Sequence, residues 1–124
     1  MASVADMPLI IDYCFCNQTV TLYSYANGAV TRTVHSNAYH ERTEKQVVDE
    51  RGSRVENEHL IVIPGNVSVN VGDRVYLGTG DAVGNDVAAF WRGFIPSKDA
   101  NVVIVRSVSY RHWQGQVAHV EIRG

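Results

Sequence analysis

The sequence predicts an all-β fold: a small antiparallel β-barrel or sandwich of six to seven strands with one short helix. Three observations carry this. Runs rich in Val, Ile, Thr and Tyr alternate apolar with polar residues, the period of a half-buried strand. Glycine- and asparagine-containing turn signals separate those runs. Only one stretch, Asp86 to Arg92, reads as helix. The chain has 124 residues, 45% hydrophobic and 19% charged. That is one domain, able to bury roughly two-thirds of its unfolded surface around a single core.

The chain is organised around Leu60 to Gly80. An apolar run ends at Pro64-Gly65, and Val67, Val69 and Val71 alternate after it. Gly72-Asp73 marks a turn, and Val75, Tyr76 and Leu77 resume the extended pattern. The expectation is two strands meeting at a corner.

Residues 1–17 form an N-terminal arm. Leu9, Ile10, Ile11, Tyr13 and Phe15 are too apolar for a free tail. They suit either a first strand of the same domain or docking on a neighbouring subunit. Gln18 to Tyr25 reads as a strand with Val20 and Leu22 on one face and Tyr23 and Tyr25 on the other. Asn27-Gly28 is a strong hairpin signal, and Ala29 to Tyr39 runs back.

Glu41 to Glu58 changes character: ten of its eighteen residues are charged, with mixed signs. Gly52-Ser53 interrupts it. The segment 41–58 reads as a projecting polar hairpin turning near Arg51-Gly52, or as a loop. Its interface candidates are Glu41, Arg42, Glu44, Lys45, Asp49, Glu50, Arg51 and Arg54. The bland alternative is a solvated face.

Asp86 to Arg92 has Asn85 or Asp86 as N-cap candidates. A helix this short is not stable alone, so Phe90 and Trp91 must pack, at an interface or under the barrel end. Ala100 to Tyr110 reads as the longest clean strand, Arg111 to Gln116 as a turn around Gly115, and Val117 to Arg123 as a closing strand.

Composition excludes several functions. A net charge of −2 argues against a domain whose task is clamping phosphates, which needs a basic excess. Nine Arg stand against two Lys, Lys45 and Lys98, a bias that suits planar interface contacts or reflects codon usage. Cys14 and Cys16 are too close for an unstrained mutual disulfide and are expected reduced. No signal peptide or membrane-spanning run is recognisable, so the chain is expected to be made and kept, or assembled, in the cytosol.

The five histidines, His35, His40, His59, His112 and His119, have no zinc-site spacing. No metal, cofactor or catalytic residue is expected. Gly78-Thr79-Gly80 lacks the lysine and long helix of a phosphate cradle. The tyrosines are not interleaved with basic residues as a base-stacking face would be.

The order of the parts resembles the small proteins encoded in the structural modules of tailed bacteriophages, beside the portal and tail genes. The residues that carry the resemblance are Thr19 to Tyr25, Ile61 to Pro64, Val103 to Val108 and His112-Trp113. It implies a non-enzymatic virion protein at the head–tail junction, assembled in the host cytoplasm. Its role would be that of a head-closure (stopper) or adaptor subunit, forming a homo-oligomeric ring that links portal to tail and retains packaged DNA. Partners would be the portal or adaptor and tail proteins, with only passive contact to double-stranded DNA in the channel and none to a membrane. A tail terminator or other tail-tube-associated ring protein is the alternative within that class. Outside it stand a monomeric nucleic-acid-binding barrel and a small β-barrel enzyme using His35, His40 or His112.

Overall fold

A computed structural model describes residues 16–124. The apolar arm residues Leu9, Ile10, Ile11, Tyr13 and Phe15, and Cys14, lie outside the described residues. The fold is all-β with one short helix. In chain order it contains β1 (Gln18–Ala26), β2 (Ala29–Asp49), β3 (Gly52–Pro64), β4 (Arg74–Leu77), α1 (Val87–Gly93), β5 (Val102–Ile104), β6 (Ser107–Trp113) and β7 (Gln116–Arg123). The strands form one antiparallel sheet in the order β5-β4-β1-β2-β3-β7-β6.

The sheet folds over on itself because two chain paths serve both of its halves. The first part of β2 pairs with β1, from Ala26↔Ala29 to Gln18↔Ala38. The rest of β2 pairs with β3, from Tyr39↔Val62 to Asp49↔Gly52. On the far side, β5 pairs with β4 and β6 pairs with β7. Only Val105 and Arg106 separate β5 from β6. The Val105 amide donates to Asp73 O at 2.8 Å, and the Arg106 amide to Arg123 O at 2.8 Å. Strands that switch half-sheets at a bend make the corners of such sandwiches. The two end strands do not pair with each other, so the sheet is barrel-like but not closed.

This bend corrects one expectation: Ala100 to Tyr110 is not a single strand. The longest strand is β2, with 21 residues. Val67 to Val71 is not a strand either. The Tyr110 hydroxyl donates to Val69 O at 2.9 Å and accepts from the Val69 amide at 3.0 Å. A side chain thus does what a neighbouring strand would have done for this backbone. Val69 is buried in the core while Val71 is exposed.

The core is made of Val20, Leu22, Ile61, Ile63, Val75, Val103, Val105, Val120 and Ile122, with Ala38 and Val69. Each fully buried Val or Ile side chain contributes roughly 1.5–3 kcal/mol relative to exposure. β-branched side chains lose little rotamer freedom on a pleated surface, which is why valine dominates.

The turns are those that strand twist favours. Asn27 and Gly28 have φ of 54° and 76°, and Gln114 and Gly115 have 52° and 78°. Positive φ at both central residues is the type I′ signature. The second turn is shorter than expected, so Arg111, His112 and Trp113 belong to β6.

β1 is buried on both faces. Val20 and Leu22 enter the core, whereas Thr21 and Tyr23 lie under the segment 78–94. Thr21 Oγ1 donates to Gly78 O at 2.8 Å and accepts from the Gly80 amide at 2.9 Å. The Tyr23 hydroxyl donates to Asp81 O at 2.7 Å. Arg32 Nε also donates to Gly80 O, at 3.1 Å.

Candidate interaction surface

Beyond Arg42 and His59, β2 and β3 leave the body of the sheet as a two-stranded arm. Seven paired positions, Thr43↔Glu58 to Asp49↔Gly52, continue the ladder. At about 3.4 Å per residue this arm is roughly 24 Å long. Beyond Ala38, β2 has no strand partner on its other edge among the described residues, the His40 amide donating there to Gln18 Oε1 at 2.6 Å. β7 pairs β3 from Leu60 inward, and Gly124 extends this to His59. All eight charged candidates, Glu41, Arg42, Glu44, Lys45, Asp49, Glu50, Arg51 and Arg54, lie on this arm, its root or its turn and are exposed. The hairpin reading of 41–58 is therefore the one the structure adopts, and its turn is Glu50-Arg51.

The register sorts the charges. Successive strand residues point to opposite faces. Lys45 and Asp49 share a face with Arg54, Glu56 and Glu58. There they pair with each other: Lys45 with Glu58 at 3.6 Å, Arg54 with Asp49 and with Glu56 at 3.1 Å. The Arg54 hydrogen bond and the Arg51 amide hold the Asp49 carboxyl below the usual carboxylate range. Gln46, Val48, Ser53, Val55 and Asn57 occupy the opposite face. That face is uncharged beyond Glu44, and Gln46 Nε2 donates to Ser53 Oγ across it at 2.7 Å. Val48 is 74% exposed and Val55 66%.

At the root of the arm His40 and His59 stack on that same face. Their rings are 5.2 Å apart and 18° from parallel, and His40 Nε2 lies 2.9 Å from His59 Nδ1. The hydrogen bond needs one nitrogen to be unprotonated. Burial pushes the pKa of both rings down. The His59 and Arg42 charges add to this at His40, and those of Arg42 and Arg106 at His59. Glu41, Thr43 and Glu58 face Arg106, Ser107 and Arg123 across a cleft of about 400 Å³ beside this root. No group of three or more His, Cys, Asp or Glu side chains is placed to hold a metal ion among the described residues.

No protein-family model, curated protein or solved structure matches this chain.

The second named pair, Phe90 and Trp91, sits on α1 and packs within the chain. Asp86 caps the helix, its carboxylate accepting from the Ala89 amide at 3.1 Å. Phe90 lies 5.6 Å from the Tyr23 ring and Trp91 stacks on Tyr25 at 5.4 Å. Arg74 covers the other contact: its guanidinium carbon is 4.0 Å from the Trp91 ring centre, and Nη1 donates to Trp91 O and to Phe94 O. Both side chains stay half-buried.

Two features were not singled out from the sequence. One is the Val48–Val55 strip, whose signal was the alternation of charged and uncharged residues within the ionic run. The other is a polar cluster between β6 and β7, built around buried His119. His119 Nε2 lies 2.9 Å from Glu121 Oε2, and Arg111 Nε donates to the same oxygen at 3.1 Å. Burial alone would raise the Glu121 pKa, but the hydrogen bonds from His119 and Arg111 outweigh it and hold it below the usual range.

Proposed function

We propose that this chain is a non-enzymatic, ring-forming structural subunit, of the kind that closes the head–tail junction of a tailed phage between portal and tail. The observation that carries the reading is the arm. A two-stranded ribbon is marginal by itself in water, yet this one extends roughly 24 Å from the body and displays exposed valines on an uncharged face. Such a projection gains its stability from what it meets. Rings are built from heterologous contacts, one patch on a different patch, and an arm on one side of a compact body supplies one half of such a contact. The resemblance in part order, from Thr19 to Trp113, supplies the phage context. The chain's slight acidity suits a channel wall that lets DNA pass, because each lysine or arginine contact to phosphate adds affinity.

The test is electron microscopy of the purified full-length chain, alone and mixed with a portal ring. Rings of the chain, or an added annular layer on the portal, are the expected result. A chain that remains monomeric in both samples overturns the reading.

A further inference from the structure

A second cleft, of about 380 Å³, opens on the other face of the ribbon's root. The register decides which charges enter it. Arg42 pairs with His59 and Glu44 with Asn57, so these four share one face of the ribbon, while Glu41, Thr43 and Glu58 share the other. Arg42, Asn57 and His59 line this cleft together with Arg106, and no Asp or Glu side chain among the described residues does. Glu41 and Glu58 belong to the neighbouring cleft, beside Arg123. There Lys45 holds Glu58, and Glu41 accepts from the Tyr39 hydroxyl. Arg106 stands at the border of the two clefts.

The cations of the second cleft are not consumed within the chain. Arg106 makes no ion pair among the described residues. Arg42 has one partner, Glu44, at 3.4 Å, and both side chains of that pair are more than half exposed. Gly124, which also lines the cleft, exchanges both backbone bonds with His59, its amide donating at 3.0 Å and its carbonyl accepting at 2.9 Å. Burial first, and then the charges of Arg42 and Arg106, push the His59 pKa down, so two guanidiniums act on one neutral ring. When His40 donates across the 2.9 Å contact, His59 carries its own proton on Nε2, as a neutral donor. Such a set repels a metal ion or an amine and favours an anion.

The opposite wall is apolar. Ala100, Val102, Val103 and Ile104 form it, and Val102 and Val103 are buried parts of the packed body. A bare inorganic anion would leave this wall in water and most of the volume unfilled. Pockets of this size take small organic groups, with a few polar side chains to orient them. The planar fork of arginine matches a carboxylate through two parallel N–H···O bonds.

We infer that this cleft binds a carboxylate carried on a compact aliphatic body, the carboxylate between Arg42 and Arg106 and the body against Val102 to Ile104. The site is independent of the ring-subunit reading. Two sources offer that chemistry: a free branched-chain acid, or the end of a polypeptide whose last residue is leucine or valine.

The test is a titration of the full-length chain followed by amide NMR, reading Asn57, Val103 and Arg106. The probes are isocaproate, N-acetyl-Gly-Gly-Leu, isocaproamide and inorganic phosphate. At least one of the two acids is expected to saturate and to bind about tenfold more tightly than the amide or phosphate. The tighter of the two acids names the source. Arg42→Gln and Arg106→Gln are each expected to weaken it about tenfold. Ala100→Glu, which places a carboxylate on the exposed rim of the apolar wall, should abolish it. Arg123→Gln, in the neighbouring cleft, should leave it unchanged. Each variant is first matched to the wild-type circular-dichroism melt. Arg106→Lys, which keeps the charge and loses the fork, replaces Arg106→Gln should that one melt early. Absence of saturable binding by either acid overturns the site. So does phosphate binding as tightly as the acids, a mere effect of charge. Binding that Arg123→Gln weakens and Arg42→Gln does not overturns it too. None of these results bears on whether the chain forms rings.

Discussion

Gly80 shows how a single atom can matter in this fold. It is buried, and a Cβ built there falls on the Tyr23 hydroxyl. That hydroxyl is held in turn by Asp81 O at 2.7 Å. Gly80→Ala is expected to cost about 2 kcal/mol, the usual penalty for overpacking. Tyr23→Phe in the same chain should recover part of it by vacating the space, a coupling that a double-mutant cycle in urea measures. Full additivity of the two losses would contradict the contact. The histidines set a second prediction. His35, His40 and His59 all have pKa values below the ordinary 6.5, burial being the first cause of each. The folded state thus binds protons less readily than the unfolded chain. Their stabilising contribution is complete above about pH 6.5 and declines as pH falls through that value toward the lower folded-state pKa. The urea midpoint is expected to fall between pH 7 and pH 5. In His59→Gln the slope should be smaller, because one of the three groups is gone and His40 no longer faces a second ring. An unchanged slope would rule this pair out as a source of acid sensitivity. The pair itself was not legible in the sequence. Positions 40 and 59 meet only because the register places His59 opposite Arg42, one diagonal step from His40.

At the scale of elements, local chemistry announced what it alone decides. Asn27-Gly28 specified a type I′ turn, and Asp86 specified a helix start, because both depend on neighbours in sequence. Val67 to Val71 alternates like a strand, but a strand also needs a ladder partner, and here Tyr110 takes that place. The break at Val105-Arg106 was equally hidden, since bending between half-sheets changes no residue's preference for extended backbone. α1 shows what tertiary contacts add. It has seven residues and no fully buried side chain, so it cannot hold itself. Arg74 caps its C-terminal carbonyls, the position where a cation opposes the helix dipole. Arg74→Met should keep the stem's packing while removing the charged hydrogen bonds, at a cost of about 2 kcal/mol. In a Trp113→Phe background, the Trp91 emission should move to longer wavelength as the indole loses the guanidinium over its ring. Emission and melting both unchanged would show that α1 is held by its aromatic contacts alone.

For the whole molecule, the division is between a body that folds itself and an arm that does not contribute to it. Every residue of the core cluster lies outside 41–58, and no residue within 41–58 is buried. The charge density of this run was visible in the sequence, and so was its turn. The sorting of charge to one face is not legible there, because it appears only when two strands are laid in register. The consequence is a clean separation of stability from assembly. Replacing residues 46–55 by a two-residue Asn-Gly turn between the partners Lys45 and Glu56 would shorten the arm while leaving the Tyr39↔Val62 ladder, the His40–His59 pair and all core side chains in place. The ion pairs it removes are exposed and screened by water, so they add little to stability. The thermal midpoint is therefore expected to move by no more than a few degrees. Amide exchange should show the same division in the intact chain: fast at 43–57 and slow at Val20 to Tyr23 and Val120 to Ile122, where the backbone is sealed between packed layers. A shortened chain that melts far below wild type would mean that the arm supports the body. A shortened chain that melts normally yet no longer joins its copies would place the whole of the arm's purpose outside its own molecule.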